Sequence, residues 1–459
     1  MRMSGRGASG ATIALAACAL WGAACKSTGS QAQGSASAVG ASGGSGVTSS
    51  SVTSARERPE AVAASVENTG ADCVVPALPE ASRLPKIEKL PDPFQKLDGT
   101  RLTKSSEWRC RRQEILQQAE KYIYGQKPPK PDQVTGSVSS REVSVDVEQN
   151  GKKIHFSAEV VLPAQGQGPF PAIINLGARS GFGGIRLGES FILEQGVAII
   201  FYNHNELGKE GKPEASRGLP NPGLFYDIYG GEHSAGLLMA WAWGASRLLD
   251  VLQASGGNLI DATRIGVTGC SRNGKGAFTV GAFDQRIALT IAQETSTAGL
   301  PAFRIVDVSS GAERTNHNFY GLNWLSNDFR PFVENATQLP IDSHELVALL
   351  APRGLLVLDN PHIPQFAALA SHTAVLAGAE VYRALGAAEN ISYISDVVNE
   401  KHCAIGKPEY DQPLIQNIAK FLKRERGETG MIKASPKTTG NLSQWRDWET
   451  PVLQSDGAH

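Results

Sequence analysis

The stretch RIGVTGCSRNGKGAF, residues 264–278, decides the fold of this chain. Its first residues predict a buried strand and a helical pattern begins at Gly274, so Ser271 falls in the tight turn between the two elements. Gly269 and Gly274, at the ends of that turn, allow the close backbone approach that it requires. A serine so placed is exposed at the carboxyl end of a sheet, beside a helix N-terminus that favours negative charge. We therefore predict that Ser271 is a nucleophile whose attack generates an oxyanion.

The same turn partly matches a phosphate-binding loop, which requires Gly-x-x-x-x-Gly-Lys-Ser/Thr. Gly269, Gly274 and Lys275 fit this pattern, but Gly276 stands where the hydroxyl residue is needed. Without that hydroxyl the loop has no side chain to bind Mg²⁺, so the pattern disfavours nucleotide binding. The net charge of −1, from 44 basic and 45 acidic residues, also disfavours a nucleic-acid partner.

Strand and helix patterns alternate around this turn. Apolar and polar residues alternate from residue 137 to 161 with a turn at Asn150-Gly151, which predicts an antiparallel hairpin. Short apolar runs typical of buried parallel strands follow, separated by helical patterns. Strands are predicted at 172–174, 197–200, 264–268, 288–292, 354–358 and 391–397, and helices at 107–124, 233–253, 274–283 and up to 385. This order predicts the α/β-hydrolase fold, a three-layer αβα sandwich with a mixed, mostly parallel sheet.

The N-terminal residues predict export. Two arginines precede an apolar run, residues 11–24, that is too short to span a bilayer. Small residues come before Cys25, as in a bacterial lipoprotein signal that would place a lipid anchor on Cys25, although Gly22 replaces the usual Leu. A plain secretory signal is the alternative. We expect either a secreted protein or a periplasmic or outer-membrane lipoprotein.

Composition then divides the remainder of the chain. A Gly/Ser/Ala-rich stretch cannot bury enough apolar surface to offset the entropy of ordering it, so it predicts a flexible tether. We expect a signal peptide over 1–25, a tether over 26–70, one catalytic α/β-hydrolase domain over 71–430 and a C-terminal tail over 431–459.

The general base is expected late in the chain, because the α/β-hydrolase order is Ser, acid, His. Of nine histidines, His402 is the one that directly follows the last predicted strand, at 391–397. We predict that His402 takes the proton from Ser271.

Four cysteines lie beyond the leader, and an even number in an exported protein predicts two disulfides with three possible connectivities. Cys270 directly precedes Ser271, and Cys403 directly follows His402. A bridge between these two cysteines would hold the nucleophile and the base together. The remaining pair would be Cys73–Cys110.

At this point the chain resembles the glucuronoyl esterases, carbohydrate esterase family 15, and a bacterial member of that family is expected. The resemblance covers roughly residues 90 to 425. It rests on GCSRNGKG at 269–276, His402-Cys403, HSAG at 233–236 with MAWAWG at 239–244, and LPID at 339–342 with APRGLL at 351–356. A cysteine bridge beside the Ser and the His is itself a feature of that family.

The resemblance implies hydrolysis of the ester between a xylan-borne glucuronic acid, usually 4-O-methylated, and an alcohol of lignin. It implies Ser271 as nucleophile, His402 as base, Arg272 as an oxyanion donor and Glu294 as the acid. Some bacterial relatives use an acid after a later strand, and Asp359 stands there as the alternative. Glu294 also suits the role by position, because it follows an apolar strand one strand–helix unit beyond the nucleophile.

For the sugar, the resemblance implies contacts from Lys275. Glu313 is the nearest equivalent of the family's sugar-binding acid. The family's Trp after the strand at 354–358 is missing, and Gln365 or Phe366 is the expected substitute. No metal and no organic cofactor is expected, because the cysteines are too scattered for a zinc site.

Two other functions fit parts of these patterns. An acetyl xylan esterase or another cell-wall carboxylesterase would use the same fold and triad on a different substrate. A catalytically inactive, carbohydrate-binding surface lipoprotein is the alternative outside the enzymes, but it gives no reason to retain Ser271, His402 and Glu294 together. We expect a monomer acting on a glucuronoxylan or lignin–carbohydrate ester.

Overall fold

The computed structural model describes residues 65–180, 184–210, 221–315 and 323–455. The chain divides into two units, Met1–Glu57 and Arg58–His459, and every described residue belongs to the second. The expected signal peptide and most of the expected tether therefore lie outside the described residues. None of the helices in the described part of the chain has the length and apolar character that a bilayer crossing needs.

A single ten-stranded sheet forms the centre of the fold. Its strands are β1 (Gln133–Val138), β2 (Glu142–Gln149), β3 (Lys152–Val161), β4 (Phe170–Leu176), β5 (Ala198–Tyr202), β6 (Ile260–Cys270), β7 (Ile287–Gln293), β8 (Gly354–Leu358), β9 (Ile391–Ile394) and β10 (Ile432–Lys433). They are ordered β1-β2-β3-β5-β4-β6-β7-β8-β9-β10. The pairs β1–β2, β2–β3 and β3–β5 are antiparallel and all others are parallel. The predicted hairpin and the predicted parallel strands are all present.

Helices cover both faces of the sheet. They are α1 (Trp108–Ala119), α2 (Glu189–Glu194), α3 (Leu224–Tyr229), α4 (Leu237–Ala254), α5 (Arg272–Phe283), α6 (Phe303–Val308), α7 (Ser343–Ala348), α8 (Ala368–Ala384) and α9 (Pro408–Ile418). The helix expected from residue 233 begins only at Leu237, because Gly236 has an extended backbone. A wider helical turn, Glu120–Tyr124, extends α1 and completes the helix predicted to residue 124.

The two faces of the sheet carry separate apolar clusters. On β4 the side chain of Ile173 belongs to one cluster, whereas its neighbours Ala172 and Ile174 belong to the other. This division follows because successive side chains of a strand point to opposite faces. The larger cluster takes in residues of α1, α4, α5 and α8, and the smaller takes in residues of α2 and α9. The predicted three-layer α/β-hydrolase sandwich is confirmed.

The expected C-terminal tail is folded against this core. β10 lies inside it and pairs with β9, which ends at Ile394 rather than at residue 397. Trp448 is 6% exposed, and its indole N–H donates to the carbonyl of Leu90 at 2.9 Å. A two-residue strand and a few scattered apolar residues form no sustained periodic pattern, so the sequence could not distinguish this segment from a free tail.

The N-terminal boundary also differs from the expected one. Glu67, placed in the tether by composition, lies 2.5 Å from Lys127 and 2.6 Å from Arg247 through its two carboxylate oxygens. Burial opposes ionisation of Glu67, but these two cations outweigh it and lower the pKa of the carboxyl. Neighbouring residues add contacts, since the backbone N–H of Thr69 donates to Gln285 at 2.8 Å and the side chain of Asn68 donates to Gln113 at 2.7 Å. Folded structure therefore begins before Cys73, because these polar contacts hold a segment that its composition assigns to the linker.

Candidate active site

The turn between β6 and α5 holds Ser271 in a conformation that few non-glycine residues adopt. Its backbone has φ 62° and ψ −128°, and its N–H donates to the carbonyl of Gln293 at 2.9 Å. A Cβ on Gly269 would lie 2.3 Å from the carbonyl oxygen of Asn273, and one on Gly274 would lie 2.5 Å from that of Gln293. Both glycines are therefore required, as the sequence pattern predicts.

Glu294 and His402 form a direct contact across the carboxyl edge of the sheet. The Nδ1 atom of His402 lies 2.8 Å from one carboxylate oxygen of Glu294, and the N–H of Cys403 donates to the same oxygen at 2.9 Å. The other oxygen accepts from the ammonium of Lys407 at 2.6 Å. The side chains of Glu294 and Lys407 are 0% exposed, whereas that of His402 is 32% exposed. The Nδ1 side of the His402 ring therefore contacts a buried carboxylate, while part of the ring remains accessible to solvent.

The surroundings of Glu294 favour its carboxylate form. Burial acts to raise the pKa, but the hydrogen bond from His402 and the charge of Lys407 outweigh it, so the pKa of Glu294 lies below its ordinary value. An ionised carboxylate only accepts hydrogen bonds, so Nδ1 of His402 must carry the proton it donates. This tautomer leaves Nε2 as a proton acceptor, which is the form that a general base needs.

The described residues contain two disulfides, Cys270–Cys403 and Cys73–Cys110, with Cα–Cα distances of 5.9 and 5.4 Å. The first joins the residue before Ser271 to the residue after His402. Donor atoms of Cys270, Cys403, Glu294 and His402 all lie within 4.8 Å of one another. The two sulfurs are bonded to each other, however, and so do not provide the thiolates that zinc sites use.

Asp359 directly follows β8 but is not the carboxylate that contacts His402. One of its oxygens accepts from the hydroxyl of Tyr393 at 3.2 Å, and the other accepts from the N–H of Asn360 at 3.0 Å. Burial raises the pKa of Asp359 to about 6. The structure thus distinguishes the two candidate acids, since Glu294 contacts His402 whereas Asp359 contacts Tyr393 and Asn360.

Arg272 and Lys275 extend from the first turn of α5, and each is paired with a carboxylate. Arg272 donates from Nη1 to Glu210 at 2.8 Å, and the Lys275 ammonium lies 3.4 Å from Glu313. Lys275 is buried, with its Nζ 4.0 Å from the centroid of the Trp324 ring. Burial lowers the pKa of Lys275 to about 8, although Glu313 acts in the opposite direction.

The other expected sugar contacts are arranged differently. Gln365 is exposed, and its backbone carbonyl accepts from the N–H of Glu313 at 2.9 Å. The ring of Phe366 packs against that of His402, with centroids 4.5 Å apart. Glu210 and Trp324 were not identified from the sequence, because each lies in a loop without a recognisable pattern.

The strained serine turn, the His–Glu pair and the mixed sheet together define a serine hydrolase of the α/β-hydrolase fold. A family model described as "Glucuronyl esterase, fungi" matches residues 145–386. The chain belongs to this family of glucuronoyl esterases, carbohydrate esterase family 15.

Individual relatives support this assignment. The 4-O-methyl-glucuronoyl methylesterase of Podospora anserina is 36% identical over 389 residues, which is 82% of this chain and 77% of that protein. The enzyme of that name from Thermothelomyces thermophilus is 38% identical over 366 residues, 78% of this chain and 87% of its own. The crystal structure of a glucuronoyl esterase mutant from Sporotrichum thermophile, in complex with methyl 4-O-methyl-β-D-glucopyranuronate, matches with a TM-score of 0.73 and 36% identity. That match covers 83% of this chain and 100% of that one. These relatives are fungal and do not support the expected bacterial member.

Proposed function

We propose that this protein hydrolyses esters of 4-O-methylglucuronic acid, with Ser271, His402 and Glu294 as its catalytic triad. It is a carboxylic ester hydrolase, since relatives at 36 and 38% identity are 4-O-methyl-glucuronoyl methylesterases. The observation that carries the triad is the 2.8 Å contact between His402 and a buried, ionised Glu294, tied by a disulfide to the turn that presents Ser271.

In the acylation step, the hydroxyl of Ser271 attacks the uronoyl carbonyl carbon while Nε2 of His402 takes its proton. Glu294 holds the ring and stabilises the imidazolium that forms, without itself becoming protonated. The C–O bond to the alcohol then breaks, and His402 returns its proton to the departing oxygen. Water hydrolyses the acyl-enzyme by the same sequence of transfers, releasing glucuronate and free Ser271.

The oxyanion of each tetrahedral intermediate would be stabilised by Arg272 and by backbone N–H groups at the start of α5. The guanidinium carries five N–H donors, so its bond to Glu210 engages only part of its capacity. Removal of one such oxyanion donor from an enzyme typically costs about 10²–10³ in kcat.

For the sugar, we propose a site formed by Lys275, Glu313 and the Trp324 indole, with Gln365 at its rim. The supporting observation is that an ammonium and a carboxylate 3.4 Å apart, beside an aromatic ring, match the alternation of hydroxyl donors and acceptors on a pyranose. Methyl 4-O-methyl-glucuronate is the ligand in the related structure. We propose xylan-borne glucuronate esterified to a lignin alcohol as the natural substrate.

We also propose that the enzyme is exported, on the basis of the leader predicted at residues 1–25. A lipid anchor at Cys25 lies outside the described residues, and the fungal relatives do not favour a periplasmic or outer-membrane lipoprotein. Mass spectrometry of the mature N-terminus distinguishes an acylated Cys25 from a plain cleavage product.

The direct test is hydrolysis of benzyl glucuronate and of a simple acetyl ester by the native protein and by Ser271→Ala. We expect the native protein to cleave the glucuronate ester in preference, and the variant to lose this activity. Cleavage of the acetyl ester alone would support the proposed triad but indicate that the substrate is that of an acetyl xylan esterase. Binding of glucuronate without cleavage of either ester would instead support a carbohydrate-binding role.

A further inference from the structure

Glu210 links two groups at the edge of the proposed active site. It lies in the loop after β5, and its two carboxylate oxygens have different partners. One accepts from Nη1 of Arg272 at 2.8 Å, and the other accepts from the indole N–H of Trp324 at 2.5 Å. Its side chain is only 10% exposed, whereas that of Arg272 is 44% exposed. Glu210 is therefore a carboxylate fixed by two hydrogen bonds, and one of them determines the position of the more exposed guanidinium of Arg272.

The charges around this site are balanced in pairs. Arg272 pairs with Glu210, and Lys275 pairs with Glu313. The Trp324 ring joins the two pairs, since it donates to Glu210 and carries the Lys275 ammonium 4.0 Å from its centroid. Among the described residues, the two cations of the first turn of α5 are thus each paired with a carboxylate.

This balance matters because the reaction changes the charge of the sugar. The substrate is a neutral ester, whereas the product is a carboxylate. A guanidinium is a strong, bidentate partner for a carboxylate, so an unpaired Arg272 next to Ser271 would bind the product more tightly than the substrate.

We propose that Glu210 is a positioning residue that makes the site select the neutral ester over the carboxylate product, by neutralising and orienting Arg272. This inference rests on the proposed function. A purely stabilising role explains less, because an ion pair with a partner as exposed as Arg272 is screened by solvent and adds little to stability.

The test compares Glu210→Gln with a matched control, Glu206→Gln. Glutamine retains an acceptor for the Trp324 indole but removes the charge that faces Arg272. Glu206 lies in the same loop, is exposed, and accepts from Asn203 at 2.7 Å rather than from Arg272. Inhibition of benzyl glucuronate hydrolysis is measured with glucuronate and with the neutral glucuronamide.

We expect the inhibition constant of glucuronate to fall about tenfold in Glu210→Gln, the scale of one charge-assisted hydrogen bond, while that of glucuronamide changes little. Glu206→Gln should alter neither constant. An unchanged ratio of the two inhibition constants in Glu210→Gln overturns the proposal. If the ratio is unchanged because both inhibitors bind equally more weakly, the role of Glu210 is structural alone.

Two further measurements cover a variant that does not fold. Glu210→Asp keeps the charge but withdraws it from Arg272, and should lower the glucuronate constant to a smaller extent. The native protein itself should not prefer glucuronate to glucuronamide, and a strong preference for glucuronate contradicts the proposal without any variant. If the native protein does not cleave benzyl glucuronate, the proposed function fails; if it cleaves the ester but does prefer glucuronate, only the role of Glu210 fails.

Discussion

Replacement of Lys407 by methionine removes a fully buried ion pair with Glu294, the acid of the proposed triad. The ammonium lies 2.6 Å from the carboxylate oxygen of Glu294 that His402 does not contact, and both side chains are fully buried. Methionine is close to lysine in length and volume but carries no charge. The substitution therefore removes the cation while retaining most of the packing.

The expected loss of stability follows from this burial. Removing one partner of a buried ion pair typically costs about 3–5 kcal/mol, because the remaining charge is left without compensation. The contact of Lys407 with the Tyr410 ring, at 5.6 Å, is lost as well. Glu294 keeps its bonds from His402 and Cys403, so we expect the lower part of that range, about 3 kcal/mol. In a domain of this size that loss lowers Tm by roughly 4 °C, because the entropy of unfolding grows with the number of residues.

The pH dependence of activity should change in a defined direction. Lys407 is one of the groups that hold the pKa of Glu294 below its ordinary value, so its removal raises that pKa. Catalysis requires the ionised carboxylate, and the acidic limb of kcat/KM must therefore move to higher pH. A carboxyl with a folded-state pKa below its unfolded value stabilises the fold at neutral pH and loses this contribution on acidification. The stability deficit of Lys407→Met should thus be largest near neutral pH and shrink as the pH falls.

The assay is the pH profile of benzyl glucuronate hydrolysis from about pH 4 to 9, with thermal unfolding measured at each pH. Lys401→Met serves as the control, because Lys401 is exposed in the same loop. We expect this control to retain both the native profile and the native Tm. An unchanged acidic limb in a folded Lys407→Met, together with a native Tm, would refute the reasoning that Lys407 maintains Glu294 as a carboxylate.

Two further predictions concern the same site. Asp359→Asn should retain most of the native kcat, because Asp359 contacts Tyr393 rather than His402 and burial already raises its pKa to about 6. Steady-state kinetics on benzyl glucuronate checks this prediction. A loss of kcat comparable to that of Ser271→Ala would make Asp359 the working acid. The KM of the native protein should rise as the pH increases through about 8, where Lys275 loses its proton. The KM of Lys275→Met should be high at every pH and show no such rise. A native KM that stays constant between pH 7 and 9.5 would contradict a sugar-binding ammonium.

Much of the fold could be predicted because its signals are local. Ser271 stands between two glycines and between an apolar strand and a helix, all within the fifteen residues 264–278. The hairpin at Asn150-Gly151 and the apolar runs of the parallel strands are equally short patterns, each reflecting burial on one or both faces. β10 and Trp448 could not be predicted in this way, because their position depends on the surface that they cover.

The partners within the candidate site depend on tertiary structure. Glu294 and Asp359 both follow apolar strands, and from sequence position both remained open as the acid. Only the fold shows that His402 contacts Glu294, 108 residues away, and that Lys407 donates to the other oxygen of the same carboxylate. Glu210 approaches Arg272 across 62 residues in the same way. Strand order brings these loops to one edge of the sheet, and a hydrogen bond depends on that proximity rather than on separation along the chain. The sequence by itself therefore determined the fold class, the nucleophile turn and the family, whereas the tertiary structure decided which charges meet there.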